Sequence, residues 1–174
     1  MKTSTKEGLP VEIATVGPEG MVGLPVFLSD EQVAHRAFVQ VPGEGARIAA
    51  DAFRRLIPRC PVLNHLLLRY TLALLHQIGQ NAACNRIHLV EERCARWLLM
   101  SHDRVQEDSF PLTQEFLAQM LGVRRPTVSI AGGMLARAGV VTYTRGQITI
   151  LDRAGLEAAA CECYRIISPT SSVG

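Results

Sequence analysis

Apolar positions before residue 50 fall in short runs broken by glycine and proline, whereas from residue 61 onward they recur at helical spacing. "VEIATVG" (11–17) and "HRAFVQV" (35–41) are rich in β-branched or aromatic residues and are followed by "GPEG" and "VPGEG". They predict several short antiparallel strands over residues 1 to about 50. "DAFRRLIP" (51–58) predicts a short helix with Asp51 near its start and Pro58 at its end. Pro61 then suits the first turn of a long helix running to about Leu89. On that helix Leu67, Thr71, Leu74, Ile78, Asn81 and Asn85 fall at 4-3-4-3-4 spacing. This coiled-coil-like stripe predicts pairing with a second copy, with the asparagines fixing register.

"VEERCARWLLMSHDRV" (90–105) predicts an amphipathic helix with Glu91, Glu92, Arg93 and Arg96 on its wet face. "QEDSFP" (106–111) reads as a polar loop. The next helix opens at Thr113, a suitable N-cap. Leu117 and Leu121 share one face, Ala118 is small where a crossing helix comes close, and Gly122 allows a left-handed turn without a Cβ clash. Val128 follows as a core residue. This spacing predicts a helix-turn-helix.

Pro126 fits only the first turn of the second helix, which places Arg124 and Arg125 at its mouth. Backbone N–H groups and guanidiniums there suit phosphate or guanine edges. Arg125 is the expected base reader, with Ser129 four residues on along the same face. Arg124 and Thr127 are expected on phosphates, and Ile130 on a thymine methyl. "VVTYTRGQITIL" (140–151) predicts a β-hairpin turning at Arg145–Gly146, a wing with an arginine at its tip. Thr113 completes the candidate DNA-contacting set. A short tail helix starts near Asp152.

Bulk composition adds little: 48% hydrophobic and 20% charged residues describe an ordinary globular chain, and a net charge of +2 does not itself imply nucleic acid. The distribution is more informative. Between Thr113 and Gly146 stand Arg124, Arg125, Arg137 and Arg145 against Glu115 alone. The five cysteines, Cys60, Cys84, Cys94, Cys161 and Cys163, match no common zinc spacing and read as reduced core thiols. Cys161 and Cys163 stand two apart, so on a helix they face different ways and make a poor chelating pair. His65, His76 and His88 read as solvated or interface residues. We therefore expect no metal site and no cofactor. No nucleophile–base, metalloprotease, P-loop or paired-carboxylate motif appears, so an enzyme is not expected. No apolar run is long enough for a membrane span.

The order of parts resembles the cyclic-AMP receptor protein/FNR (CRP/FNR) superfamily of bacterial transcription regulators. "LTQEFLAQMLGVRRPTVS" carries the resemblance most specifically, with support from "GMVGLPVFL" and "RCARWLLM". It implies an α+β fold: a partial N-terminal β-roll of the cyclic-nucleotide-binding type with a short helix (1–60), a long dimerisation helix (61–89), and a winged-helix DNA-binding domain with a C-terminal helix (90–174). The roll starts well inside the family's pattern and looks truncated. The resemblance further implies a cytoplasmic homodimer on palindromic double-stranded DNA, with RNA polymerase and a small-molecule effector as further partners. The effector pocket would include Gly23, Leu24, His35 and Arg36. The family's ribose-binding glutamate falls on Leu24, and its arginine–serine or arginine–threonine pair falls on His35 and Arg36, so cyclic AMP is not the expected effector. The family's base-reading positions fall on Arg125, Pro126 and Ile130, of which only the arginine is kept. A different reading, a module acting by protein pairing without DNA, is disfavoured by Arg124, Arg125 and Arg145. The hinge around His88 to Glu91 is the expected route from signal to DNA-binding domain.

Overall fold

The computed structural model describes residues 2–4, 10–29 and 36–167. β1 (Lys2–Ser4) and β2 (Pro10–Glu12) pair antiparallel as a two-stranded ladder. α1 (Leu24–Leu28) and α2 (Ala50–Leu56) follow, then a 3-10 turn (Ile57–Arg59). Of the strands expected in this region, "HRAFVQV" forms none from Arg36 onward; Arg36 makes an isolated bridge and no ladder follows it. Its side chains instead reach the C-terminal half. Phe38 meets Phe116 edge-on at 5.8 Å, and Gln40 donates to Glu12.

α3 (Pro61–Ile87) is one continuous helix of 27 residues starting at Pro61. α4 (Val90–Val105) has the expected bounds, with the Leu89 N–H donating to Glu92 at 3.0 Å. Arg93 and Arg96, expected in water, are buried at 6% and 4% exposure. Their guanidiniums find oxygens: Arg93 donates to the Leu121 carbonyl, and Arg96 donates to Asn81 Oδ1 at 2.6 Å.

The stripe expected to pair two copies is largely occupied within one chain. Leu74 packs with Ala14 and Leu24, with Tyr70 and Ile78 against them. Leu67 is buried, Thr71 is half-buried and bonds the Leu67 carbonyl, and Asn85 is exposed. Asn81 bridges elements of its own chain, donating to the Ile13 carbonyl at 3.1 Å and accepting from Arg96. The physical reason is that α3 has two apolar stripes, and the N-terminal segment lies along this one. The other stays open. Leu68, Leu72 and Leu75 are 51%, 55% and 59% exposed, and Gly79 carries the same 4-3-4 spacing onward.

The remaining elements build the C-terminal unit. β3 (Ser109–Pro111) replaces the expected loop. α5 (Gln114–Leu121) and α6 (Arg125–Arg137) precede β4 (Val141–Thr144) and β5 (Gln147–Ile150), and α7 (Arg153–Ala159) and α8 (Cys163–Ile167) close the chain. The sheet order is β3-β5-β4, all antiparallel, with Phe110 opposite Ile148 and Tyr143 opposite Ile148. The main core lies here, built on Leu98, Leu99, Phe110, Leu117, Val128, Val141, Ile148 and Leu156, all essentially inaccessible. Asp152 caps α7 by accepting from the Gly155 N–H.

Candidate nucleic-acid interface

The turn between α5 and α6 forms as its residues dictate. Thr113 Oγ1 accepts from the Phe116 N–H at 3.1 Å, capping α5. Gly122 ends it at φ 64°, ψ 35°, and the Val123 N–H closes on the Ala118 carbonyl at 3.0 Å. A side chain at Gly122 would be strained there, and its Cβ would also sit 3.3 Å from Val11. Val123 leads to Arg124, the extended N-cap of α6, with Pro126 in the first turn. Val128, Ala131 and Leu135 turn inward and lock α6 onto the core.

The opposite face is open. Arg124, Arg125, Pro126 and Thr127 are all exposed, and no ion pair involves either arginine among the described residues. Ile130 is 66% exposed, and Met134 and Arg137 extend the same face. Ser129 is less free than expected: its hydroxyl donates to Gln114 Oε1 at 2.7 Å, tying α6 to the start of α5.

The wing forms where expected. Arg145 and Gly146 hold φ of 48° and 83°, the pair of positive values a tight I′-type hairpin requires. A groove runs between the wing and the mouth of α6, lined by Thr113, Gln114, Glu115, Arg125, Tyr143 and Arg145 among others. Tyr143 sets the spacing of its walls. Its ring lies only about 3.2–3.4 Å from where a Cβ on Gly132 would stand, so this glycine lets α6 approach the wing strand closely. The Tyr143 hydroxyl is buried without a hydrogen-bond partner among the described residues, and burial pushes its pKa up.

Met134, four residues beyond Ile130, shares this exposed face and was not among the residues expected there, and Arg137, counted above only in the local charge, stands seven beyond Ile130. Sequence reasoning also missed that Gln114 holds Ser129. The suggested effector residues stand in different settings. Gly23 is the left-handed N-cap of α1, Leu24 is buried against Leu74, Arg36 is exposed, and His35 lies outside the described residues.

A three-stranded wing packed on a helix-turn-helix defines a winged-helix module. Residues 92–159 match the Crp-like helix-turn-helix domain family. No curated protein sequence matches the chain. Among solved structures, the chain is similar to TTHA1359, a CRP/FNR-family transcriptional regulator from Thermus thermophilus. The identity is 21% over 91% of this chain and 81% of that one, with a TM-score of 0.64. It is also similar to a CooA mutant from Carboxydothermus hydrogenoformans (18% identity over 62% of this chain, TM-score 0.53) and to FixK2 from Bradyrhizobium japonicum (20% over 62%, TM-score 0.50). The chain spans 53% and 59% of these last two, little more than half their length. The C-terminal module thus matches the Crp-like helix-turn-helix family, and the chain shares the α+β fold of these solved structures. No described helix is long and apolar enough to cross a membrane.

Proposed function

We propose that this chain is a sequence-specific DNA-binding transcription regulator that works as a homodimer, with α6 in the major groove. One observation carries the reading: Arg124, Arg125 and Thr127 stand exposed at the mouth of α6, and Arg125 lines the groove closed by the Arg145-tipped wing. Arg125 reads a base edge, Arg124, Thr127 and Thr113 hold phosphates, and Arg145 meets the neighbouring backbone. Ile130 makes the apolar base contact, and Ser129 holds the helix rather than reading a base. Pairing runs along the open Leu68–Leu72–Leu75–Gly79 stripe of α3, setting two α6 helices at a two-fold operator. The effector is a small molecule other than cyclic AMP; Leu24, at the position of the ribose-binding glutamate, is an apolar core residue and supports this. RNA polymerase is the partner through which bound DNA is acted upon.

The test is selection from a random DNA pool with the purified protein, followed by a salt series on the winning site. An enriched palindrome and a steep fall of affinity with salt are expected. Arg125→Ala should relax choice at one base pair, losing about 1–3 kcal/mol of discrimination. An Arg125→Ala variant that keeps full sequence preference would refute the assignment of the base reader.

A further inference from the structure

At the far end of α3 from its start, four metal-ligating side chains meet. Cys84 stands on the last turn of α3 and His88 is its C-cap, with the His88 N–H bonded to the Cys84 carbonyl. Cys161 comes from the link between α7 and α8, and Cys163 opens α8. Cys161 is not helical: the chain is extended at Ala160, and the Tyr164 N–H turns back onto the Cys161 carbonyl at 3.1 Å. That turn brings both thiols to the same side, whereas the i, i+2 spacing on a continuous helix made them a poor chelating pair. The three cysteines form a small buried cluster of their own, apart from the main core.

The distances suit one ion. Cys84 Sγ lies 3.6 Å from Cys161 Sγ, and Cys163 Sγ lies 3.5 Å from His88 Nδ1. All four donor atoms fall within 4.8 Å of one another. A tetrahedral zinc with Zn–S of about 2.3 Å separates its sulfurs by about 3.8 Å, so the cluster needs only small adjustments to close on a metal.

The surroundings are those of a ligand set. His88 Nε2 lies 3.1 Å from the Glu162 carboxylate. A proton held there by Glu162 leaves the Nδ1 lone pair facing the thiols, the outer carboxylate arrangement common behind metal-bound histidines. Gln80 donates to Cys163 Sγ at 3.0 Å, which orients that sulfur within the cluster. Three thiolates and a divalent ion carry a net charge of −1. Nearby, Arg93 and Arg96 are buried with no carboxylate within ion-pair reach among the described residues, and the Nε of each is unpartnered. Both are electrostatically coupled to Cys84. An anionic metal cluster supplies the negative charge that these buried guanidiniums otherwise lack.

We propose that Cys84, His88, Cys161 and Cys163 form a closed Cys3His site for a thiophilic divalent ion of the zinc class. With four protein ligands and no open position, the ion is structural rather than catalytic. It pins α8 to the C-terminal end of α3, beside the step into α4. Metal loading therefore fixes the C-terminal unit against the long helix.

The test is a titration of the metal-free, reduced full-length chain with cobalt(II), then zinc(II). The expected result is one cobalt per chain, with the intense visible bands of a tetrahedral site, a thiolate charge-transfer band, and displacement by zinc. Cys163→Ser and His88→Gln should each weaken cobalt binding at least tenfold, while Cys60→Ser leaves it unchanged. A readout independent of any variant is alkylation: zinc should protect Cys84, Cys161 and Cys163 while Cys60 goes on reacting. Three outcomes overturn the proposal: cobalt spectra without the thiolate band, unchanged binding in Cys163→Ser, or thiols equally reactive with and without zinc. A Cys84–Cys161 disulfide forming in place of metal uptake also overturns it, and would mark the pair as a redox site.

Discussion

Truncating α3 on one face or the other separates two ways the helix uses its leucines. Leu72 is 55% exposed in the single chain, whereas Leu74 is buried against Ala14 and Leu24. Full burial of a leucine side chain contributes about 1.5–3 kcal/mol, so covering just over half of Leu72 contributes about 0.8–1.6 kcal/mol per copy. Two copies meet in a dimer, and alanine keeps the Cβ, so Leu72→Ala should weaken pairing by about 1–3 kcal/mol. That is about 5- to 150-fold in dimer dissociation constant. The fold of the single chain should be little changed, since the removed atoms face water there. Leu74→Ala should do the reverse. It opens a cavity in the clasp between α3 and the N-terminal segment, and large-to-small core changes of this kind cost about 2–5 kcal/mol of folding stability. Sedimentation velocity over a dilution series reads the dissociation constant, and urea unfolding well above it reads stability. If Leu74→Ala loosens the dimer while Leu72→Ala leaves it intact, the proposed seam is on the wrong face and the argument from exposure fails.

Gly122→Ala should lower stability by about 1–2 kcal/mol, because a non-glycine residue at φ 64° meets its own backbone; an unchanged urea midpoint would contradict this. Tyr143→Phe should be neutral or stabilising by about 1 kcal/mol, since it removes a buried hydroxyl with no partner; a clear loss in thermal unfolding would show that the hydroxyl is satisfied. Gly132→Ala should cost about 1–3 kcal/mol by crowding the Tyr143 ring, and less on the Tyr143→Phe background, where the 3.2 Å contact to Oη is gone; equal costs on both backgrounds would exclude that contact as the cause. Substitutions across residues 88–91 should change DNA affinity several-fold while leaving base preference alone; constant affinity throughout the scan would remove the hinge from the mechanism.

The winged helix was legible because its signals are local. Gly122 at a left-handed turn, Pro126 in a first helical turn and Arg145–Gly146 at a hairpin each constrain the backbone within a few residues, and each lands where its chemistry requires. What failed was decided by distant partners. Period alone found a stripe on α3, but choosing between its two stripes needed the N-terminal segment that covers Leu74 and bonds Asn81. Arg93 and Arg96 looked solvated because charge argues for water, yet Leu121 and Asn81 supply oxygens from other elements. Cys161 and Cys163 looked divergent because a helix was assumed through them. The break after α7, with His88 arriving from 73 residues earlier than Cys161, was invisible to spacing.

These long-range contacts concentrate at the step from α3 to α4, and that concentration bears on how a signal travels. Asn81 holds the Ile13 carbonyl with one end of its amide and Arg96 with the other, so the N-terminal segment, α3 and α4 meet at one side chain. One turn further along α3, Cys84 and His88 meet the link to α8. A shift of the N-terminal segment along α3 thus pulls on Arg96 and hence on α4, whose far side packs against α6. The hydrogen bond from a charged donor is worth about 1.5–3 kcal/mol, comparable to the coupling energies that allosteric sites need. The polar node is therefore strong enough to tie the N-terminal segment to α4, and through α4 to α6, and weak enough for a shift of that segment to break it.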